Sequence, residues 1–365
     1  MNLTILFGGV SPEHEVSIAS ASYVSSSVKK YFSQKINLQC LYISKKNSVL
    51  DAEYSMKIIQ FFQSMGKTIM VPEKLDQLLE QEDFHFHEFP IEELSSLIRK
   101  SDTIFPLIHG TYGEDGNLQG FSTLMGKRVI GFNTLNSAIG MDKIVFKHLC
   151  RSNNIKTAPF EWTSQKRISQ ENVLDIYNNI KIKLGVPFFM KAANQGSSIG
   201  VYKIHNQKEF FDSLDLLLKI TDKILFEKFI RGIELEISFI EKSDNTPFVS
   251  KPGRVIPSDE FYTYEDKYIK DMTRFEIPAG LDEEIIERVR EIARSIIGML
   301  DASGYARIDF FYDEENDDII CNEINSIPGF TKISMFPQLL LASGMSEEEI
   351  FSNLLFPGIS GKNSI

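Results

Sequence analysis

The sequence is poor in features that would each indicate a different class of protein. Its 365 residues include only three cysteines, Cys40, Cys150 and Cys321, which are too far apart to suggest a disulfide framework and are typical of reduced thiols. The opening MNLTILFGGV lacks the basic residues of a signal peptide. No apolar run approaches the roughly 18 residues of a transmembrane helix. We therefore expect a cytoplasmic protein without a membrane partner.

Positive charge is also scarce, with 39 Lys and Arg against 50 Asp and Glu and a net charge of −11. Nucleic-acid partners require a basic surface, so none is expected, and an anionic ligand would have to be held by individual lysines and arginines. Two phosphate motifs are missing as well. There is no GxxxxGK[ST], and no G-x-G-x-x-G follows the first predicted strand, which argues against a dinucleotide-dependent oxidoreductase.

The hydrophobic pattern predicts an α/β N-terminal domain. A buried strand at LTILFGG is followed by a helix at SIASASYVSSSVKKYF and a second strand at INLQCLYI. Further along, SAIGMDKIVFKHLCRSNN has the spacing of one helix. From about residue 185 the pattern predicts strand pairs with short turns, and we therefore expect an α+β region behind the first domain. The expected pairs are VPFFMKA with IGVYKI, and KILFEKFI with ELEISFI.

A lysine and a turn rich in Gly and Ser lie between two of these strands, in KAANQGSSIG from residue 191 to 200. Backbone N–H groups of such turns, beside a cation, can cradle a phosphate. The segment therefore predicts a hairpin-like flap over a phosphate with Lys191 as its cation. An ordinary flexible turn is the alternative that stays open.

The segment YARIDFFYDEENDDIICNEIN predicts an antiparallel hairpin with a polar turn. A turn centred on Asn316 places Asp309 opposite Glu323, Arg307 opposite Asn325, and Phe311 opposite Cys321. Side chains alternate along a strand, so one face would carry Arg307, Asp309, Phe311, Glu323 and Asn325. The other face, directed into the core, would carry Ile308, Phe310, Ile320 and Ile324.

This face of the hairpin gathers two carboxylates and an amide oxygen, which are ligands that Mg²⁺ prefers. Arg307 beside them would supply a fixed positive charge for an oxyanion or a phosphate. Together with the lysine flap, the hairpin predicts a nucleoside triphosphate bound with magnesium. Cross-strand salt bridges on a solvated face are the alternative.

Seven segments, in order along the chain, resemble the D-alanine–D-alanine ligases of the ATP-grasp superfamily. They are GGVSPEHEVS (8–17), HGTYGEDGNLQG (109–120), MDK (141–143), GSSIGV (196–201), FYTYEDKY (261–268), ARIDF (306–310) and NEINSIPGFT (322–331). The resemblance implies that the α/β domain is followed by a two-part α+β ATP-grasp region. The implied domains are 1–121, 122–225 and 226–365.

The resemblance also implies a reaction and its participants. ATP phosphorylates the carboxylate of one D-alanine, and the amine of a second D-alanine attacks the acyl phosphate to give D-alanyl-D-alanine, a peptidoglycan precursor. The implied cofactors are ATP and two Mg²⁺ (or Mn²⁺), the substrate is D-alanine, and the expected assembly is a homodimer.

Roles carry over to this chain residue by residue from the resemblance. The implied metal ligands are Asp309, Glu323 and Asn325. The implied ATP contacts are Lys143, Lys191, Glu227, Ile230, Glu234, Phe261, Lys267 and Phe311. The implied catalytic groups are Glu13, Ser197, Tyr268, Arg307 and Gly329, and Glu13 would also bind the ammonium of the first D-alanine. Ser334 and Met335 would border the second D-alanine.

Three alternatives to these expectations stay open. Glu13 and His14 could merely cap the first helix. A related ligase would use D-lactate or D-serine as its second substrate, although Tyr268 and the run GFTKISMFP favour the dipeptide. A non-catalytic nucleotide-binding relative would be expected to have lost a metal ligand or a phosphate lysine, and the sequence retains them all.

Overall fold

The computed structural model describes residues 1–81, 84, 87–196, 199–256 and 274–358, and within them the chain builds three β-sheets. Within these ranges no helix is both long and apolar enough to cross a membrane.

The first sheet has a parallel centre, which the uninterrupted apolar run of its first strand predicts because such strands are buried on both faces. Its spatial order is β4-β3-β2-β1-β5-β6. The strands are β1 (Asn2–Gly8), β2 (Asn37–Ile43), β3 (Ser48–Leu50), β4 (Glu88–Pro90), β5 (Thr103–Pro106) and β6 (Arg128–Val129). The helices of this part are α1 (His14–Phe32), α2 (Ala52–Met65), α3 (Pro72–Leu79), α4 (Leu94–Leu97) and α5 (Asn117–Leu124). The predicted α/β N-terminal region is confirmed.

The second sheet is antiparallel, in the order β7-β10-β8-β9. Its strands are β7 (Phe160–Ser164), β8 (Phe188–Ala192), β9 (Val201–Ile204) and β10 (Lys223–Lys228). Helices α8 (Val173–Leu184) and α9 (Gln207–Leu217) pack on it through a shared apolar cluster. The predicted hairpin of β8 with β9 around the Lys191 loop is confirmed. The predicted pairing of KILFEKFI with ELEISFI is wrong, because β10 pairs with β7 and β8 instead.

The third sheet carries the carboxylate hairpin, in the order β14-β13-β11-β15-β16 with β12 paired to β11. The strands are β11 (Ile233–Glu241), β12 (Pro247–Val249), β13 (Gly253–Ile256), β14 (Arg274–Glu276), β15 (Tyr305–Asp313) and β16 (Asp318–Asn325). Three helices belong to this part of the chain, α10 (Glu283–Leu300), α11 (Met335–Ala342) and α12 (Glu347–Leu355). The α10 residues Val289, Ala293 and Ile296 share one core with Ile308 and Phe310 of β15.

The segment predicted as one helix before residue 154 is two helices, α6 (Thr134–Met141) and α7 (Lys143–Ser152). Asp142 between them is extended, and its side chain accepts hydrogen bonds from the backbone N–H groups of Ile144 and Val145. This N-cap starts a new helix and makes Lys143 its first residue.

The N-terminal sheet and the C-terminal helices share one apolar core. Phe330, Phe351 and Leu354 lie in the same buried cluster as Leu3 and Phe7 of β1. This contact holds the loop after β16 against the α/β domain. The domain limits at residues 121 and 225 stay a prediction.

Glu347 on α12 ties that helix to α1. Its carboxylate accepts hydrogen bonds from Tyr31 Oη at 2.7 Å and Ser27 Oγ at 3.0 Å, and Lys30 Nζ lies 3.2 Å away. Burial alone would raise the pKa of Glu347, but these donors outweigh it and lower that pKa to about 2. The stabilisation is therefore present above the usual glutamate pKa of 4.5 and is lost as the pH falls towards about 2.

We expect Glu347→Gln to lower the unfolding free energy at pH 7 by about 1 to 2 kcal/mol, the contribution typical of hydrogen bonds to a charged group. Urea unfolding at pH 7 and pH 3 measures the effect, which should shrink at the lower pH. Glu348→Gln is the matched control, because Glu348 lies in the same first helical turn and is exposed. An equal loss in both variants, or a loss independent of pH, would contradict this assignment.

Candidate active site

A cavity of about 540 Å³ opens between the second and third sheets. Its wall is built from β8, β10, β11, β15 and β16 and from the chain between β10 and β11. Eight residues singled out from the sequence lie in this wall. They are Lys143, Lys191, Glu227, Ile230, Glu234, Asp309, Phe311 and Glu323.

A buried carboxylate between two lysines lies at one end of the cavity. Glu227 is 3 % exposed; its Oε1 lies 2.6 Å from Lys147 Nζ and its Oε2 lies 2.6 Å from Lys191 Nζ. The pairing of β10 with β8 explains why Glu227 contacts Lys191. Lys191 is opposite Leu225, and Glu227, two residues further on, shares the face of Leu225.

The neighbouring lysines together affect the pKa of Glu227 more strongly than its burial does. Burial alone would raise the pKa of Glu227, but the two lysines lower that pKa to about 2. Burial alone would lower the pKa of Lys191, but Glu227 and more distant carboxylates raise it above its usual value. At neutral pH both groups are therefore ionised in a buried site.

Lys143 connects the flap to the hairpin. Its Nζ donates a hydrogen bond to the Gln195 carbonyl at 2.8 Å and lies 3.1 Å from Glu323 Oε2. Its backbone N–H donates to the Ala193 carbonyl at 3.0 Å. The helix break at Asp142 therefore positions Lys143 between the Lys191 loop and a predicted metal ligand.

The hairpin has the predicted register at its site end, where Asp309 is opposite Glu323 and Arg307 is opposite Asn325. Beyond Asp309 a bulge shifts the register, and Asn322 is the extra residue. Phe311 is therefore opposite Ile320, and the prediction that it faces Cys321 is wrong.

The bulge also exchanges the faces of the residues that precede it on β16, because one extra residue inverts the alternation. Cys321 is opposite Phe310 and lies in the core with it. Ile320 shares the face of Phe311 instead of that of Phe310, which corrects its predicted place.

Arg307 lies between two buried carboxylates. Its Nε and Nη2 donate to Asp309 Oδ1 at 2.7 Å and Oδ2 at 2.8 Å, which is a bidentate pair. The same Nε lies 3.1 Å from Glu236 Oε2. Glu236 on β11 is directly opposite Asp309 on β15.

The predicted metal ligands are only partly gathered at the cavity. Asp309 and Glu323 are in its wall, whereas Asn325 Oδ1 accepts a hydrogen bond from the Ile327 N–H at 3.2 Å. Over the described ranges, no group of three or more His, Cys, Asp or Glu side chains is arranged to hold a metal. Two carboxylates facing a cavity nevertheless fit Mg²⁺, which usually takes its other ligands from water and substrate phosphates.

Glu13 occupies the N-cap position of α1, but its side chain makes no capping hydrogen bond. Its Oε2 is instead 3.9 Å from the position that a Cβ on Gly196 would take, so the carboxylate faces the Lys191 loop. The alternative role of Glu13 as a helix cap is therefore unsupported. His14 beside it is buried, with Nδ1 2.5 Å from the Gly9 carbonyl oxygen and Nε2 2.9 Å from Tyr42 Oη.

The remaining predicted residues lie around the loop after β16 or outside the described ranges. Ser334 Oγ accepts a hydrogen bond from the Thr331 N–H at 3.0 Å, and a Cβ on Gly329 would lie 3.1 Å from that oxygen. Met335 is buried against Val255. The residues outside the described ranges are Ser197, Phe261, Lys267 and Tyr268.

Three residues of the site were missed from the sequence. Lys147 follows Lys143 by four positions, a spacing that places both on one helix face. Glu236 follows Glu234 by two and therefore shares its strand face. Asn322 is the bulge residue, and no pattern in the sequence marks it.

Comparisons with known proteins cover nearly the whole chain. Residues 2–132 match the family model described as D-ala D-ala ligase N-terminus, and residues 149–356 match D-ala D-ala ligase C-terminus. The D-alanine–D-alanine ligase of Halothermothrix orenii is 37% identical over 97% of this chain and 97% of its own length. That of Natranaerobius thermophilus is 34% identical over 98% of this chain and 94% of its own length.

Solved structures agree with these relatives. The D-alanine–D-alanine ligase of Coxiella burnetii superposes with a TM-score of 0.77 at 26% identity, over 98% of this chain and 95% of that one. VanG D-Ala:D-Ser ligase from Enterococcus faecalis superposes with a TM-score of 0.79 at 26% identity, over 97% of this chain and 98% of that one.

We expect Arg307→Met to lower the unfolding free energy by about 3 to 5 kcal/mol, because it leaves two buried carboxylates without the cation that both contact. Urea unfolding without divalent cations measures this loss. Arg288→Met is the matched control, since Arg288 of α10 pairs with Asp317 at the partly exposed turn of the same hairpin and should contribute less than about 1 kcal/mol. Losses of similar size in the two variants would contradict the assignment of Arg307 as the cation that stabilises both buried carboxylates.

Proposed function

This chain belongs to the D-alanine–D-alanine ligase family, and on that premise we propose how its residues join two D-alanine molecules to D-alanyl-D-alanine. The enzyme is an ATP-dependent ligase of peptidoglycan synthesis. The observation that carries this conclusion is the match to both halves of the family over nearly the whole chain. The cavity with its cations and carboxylates supports the roles of individual residues.

The first step activates a carboxylate, which by itself is a poor electrophile. A carboxylate oxygen of the first D-alanine attacks the γ-phosphorus of ATP, the bond to the β-phosphate oxygen breaks, and ADP leaves an acyl phosphate. Lys143 and Lys191 in the cavity wall would bind the phosphates, since cations at the transferring phosphoryl group stabilise its charge.

The second step forms the peptide bond. The neutral amine of the second D-alanine attacks the acyl carbon, and the carbonyl oxygen becomes an oxyanion. Arg307 and the backbone N–H of Gly329 would stabilise that oxyanion. The C–O bond to phosphate then breaks, and the extra proton of the nitrogen passes to the phosphate that leaves.

Magnesium or manganese would be held by Asp309, Glu323 and Asn325, with two ions expected. When bound, such ions neutralise charge on the phosphates. The side chains of this chain prepare that site. Arg307 holds Asp309 through both oxygens and Lys143 contacts Glu323, so each of these two carboxylates would exchange a protein cation for the metal.

The nucleoside would lie at the end of the cavity marked by Glu227 and Ile230. Glu227 would accept a hydrogen bond from the adenine amino group, and Glu234 would bind the ribose. Phe311, with Phe261, would enclose the base. Lys267 would contact the γ-phosphate.

The two D-alanines would lie on the other side of the Lys191 loop. Glu13, which faces that loop, would bind the ammonium of the first D-alanine. Ser197 and Tyr268 would join this region to the segment that follows β13. Ser334 and Met335 would border the second D-alanine. We further propose that the enzyme works in the cytoplasm as a homodimer.

D-Serine is the second candidate for the second substrate, because the match to VanG D-Ala:D-Ser ligase is as extensive as that to a D-alanine–D-alanine ligase. Phosphate release from ATP and magnesium should be measured with D-alanine alone and then with added D-serine or D-lactate.

We expect D-alanine alone to support full turnover, with phosphate equal to D-alanyl-D-alanine identified by mass. D-Serine and D-lactate at equal concentration should contribute only minor products. A dominant D-alanyl-D-serine or D-alanyl-D-lactate product would overturn the assignment of the second substrate. No phosphate release with any pair would overturn the ligase activity itself.

A further inference from the structure

Lys147 has no role in the proposed reaction, yet it is almost completely buried, with 1 % of its surface exposed. Its Nζ lies 2.6 Å from Glu227 Oε1 and donates a hydrogen bond to the Asn322 carbonyl at 2.8 Å. One ammonium group on α7 therefore contacts the middle of the second sheet and the hairpin of the third.

Lys147 is not needed to neutralise the charge of Glu227. Glu227 already has Lys191 at 2.6 Å, and a single lysine would neutralise a single carboxylate. Lys191, however, faces the cavity and is proposed to bind phosphate. Lys147 lies outside the cavity wall, so it can remain on Glu227 when Lys191 turns to a phosphate.

The bond to Asn322 has a separate consequence. Asn322 is the extra residue of the bulge, and a bulge interrupts the backbone pairing of its strand. Backbone groups withdrawn from water require a partner, and Lys147 donates a hydrogen bond to the partly buried Asn322 carbonyl. The next residue is Glu323, whose direction towards Asp309 depends on the bulge.

We propose that Lys147 is a positioning residue that fixes Glu227 for adenine and fixes the Asn322 bulge for Glu323. It thereby links the base-binding end of the cavity to its metal-binding edge. This inference rests on the proposed assignment of Glu227 to adenine and of Glu323 to magnesium.

The test compares Lys147→Met with Lys223→Met. Lys223 is a matched control, because it also joins β10 to the start of α7, through an ion pair with Asp142 at 2.5 Å, and does not line the cavity. Calorimetric binding of ADP and of IDP without divalent cations gives the first readout. IDP carries a carbonyl oxygen where adenine has its amino group, so it cannot donate that hydrogen bond to Glu227.

The expected result is a loss of about tenfold or more in the preference for ADP over IDP in Lys147→Met, the size of one lost hydrogen bond to a charged group. The control should keep the preference of the unaltered protein. The second readout is the magnesium concentration that gives half-maximal activity, which should rise about 10- to 100-fold, as when an outer partner of a metal ligand is lost.

Lys147→Gln separates the two contacts and serves also if the methionine variant does not fold. Its neutral amide can donate to the Asn322 carbonyl but brings no charge to Glu227. We expect it to lose the ADP preference while its magnesium requirement changes less than that of Lys147→Met.

Equal weakening of ADP and IDP in the Lys147 variants, or an unchanged preference, would overturn the role of Lys147 at the base. An unchanged magnesium requirement in Lys147→Met would overturn its role at the bulge. Failure of the ligase assignment would be distinguishable, because the unaltered protein would then form no dipeptide while its nucleotide preference could still be measured.

Discussion

The buried carboxylate of Glu227, held between Lys147 and Lys191, is the interaction on which the rest of the site depends. It joins β10 to β8 within one sheet and both strands to α7 outside it. Through the second contact of Lys147, with the Asn322 carbonyl, it also reaches the carboxylate hairpin. A protein with a net charge of −11 thus concentrates the cations required by a polyanionic substrate at one place. Burial of Glu227 and its two lysines costs free energy of desolvation, which only close contacts and further hydrogen bonds can offset.

Among the described residues, the three cations proposed to act on a phosphate or an oxyanion are each already paired with a carboxylate. Lys143 contacts Glu323, Lys191 contacts Glu227, and Arg307 contacts Asp309. These pairs keep the charged side chains in place before a substrate arrives, which reduces the ordering that binding requires. Nucleotide and metal would then enter by exchange of partners, since phosphates take the lysines and the metal takes the carboxylates. Glu236 and Lys147 would remain on their partners throughout and hold Arg307 and Glu227 in position.

The site end of the hairpin was predictable, because alternation along the strands and a turn centred on Asn316 place Asp309, Glu323 and Arg307 on one face. The bulge at Asn322 could not be predicted, since one inserted residue leaves no trace in an apolar strand pattern. The helix break at Asp142 was hidden for a similar reason, because the apolar spacing continues across it. The pairing of β10 depends on contacts with β7, distant in sequence, and short-range patterns do not reveal it. Lys147 could have been found from its spacing to Lys143, whereas Glu13 was found only through the family resemblance.

The phosphorylation of a D-alanine carboxylate is the central chemical claim, and isotope transfer tests it most directly. The protein should be incubated with ATP, magnesium and D-alanine that carries ¹⁸O in its carboxylate, and the released phosphate examined by mass spectrometry. The acyl phosphate route predicts that each phosphate carries a labelled oxygen, because the bond between carbon and that oxygen breaks when the amine attacks. Unlabelled phosphate accompanying normal dipeptide formation would contradict that route.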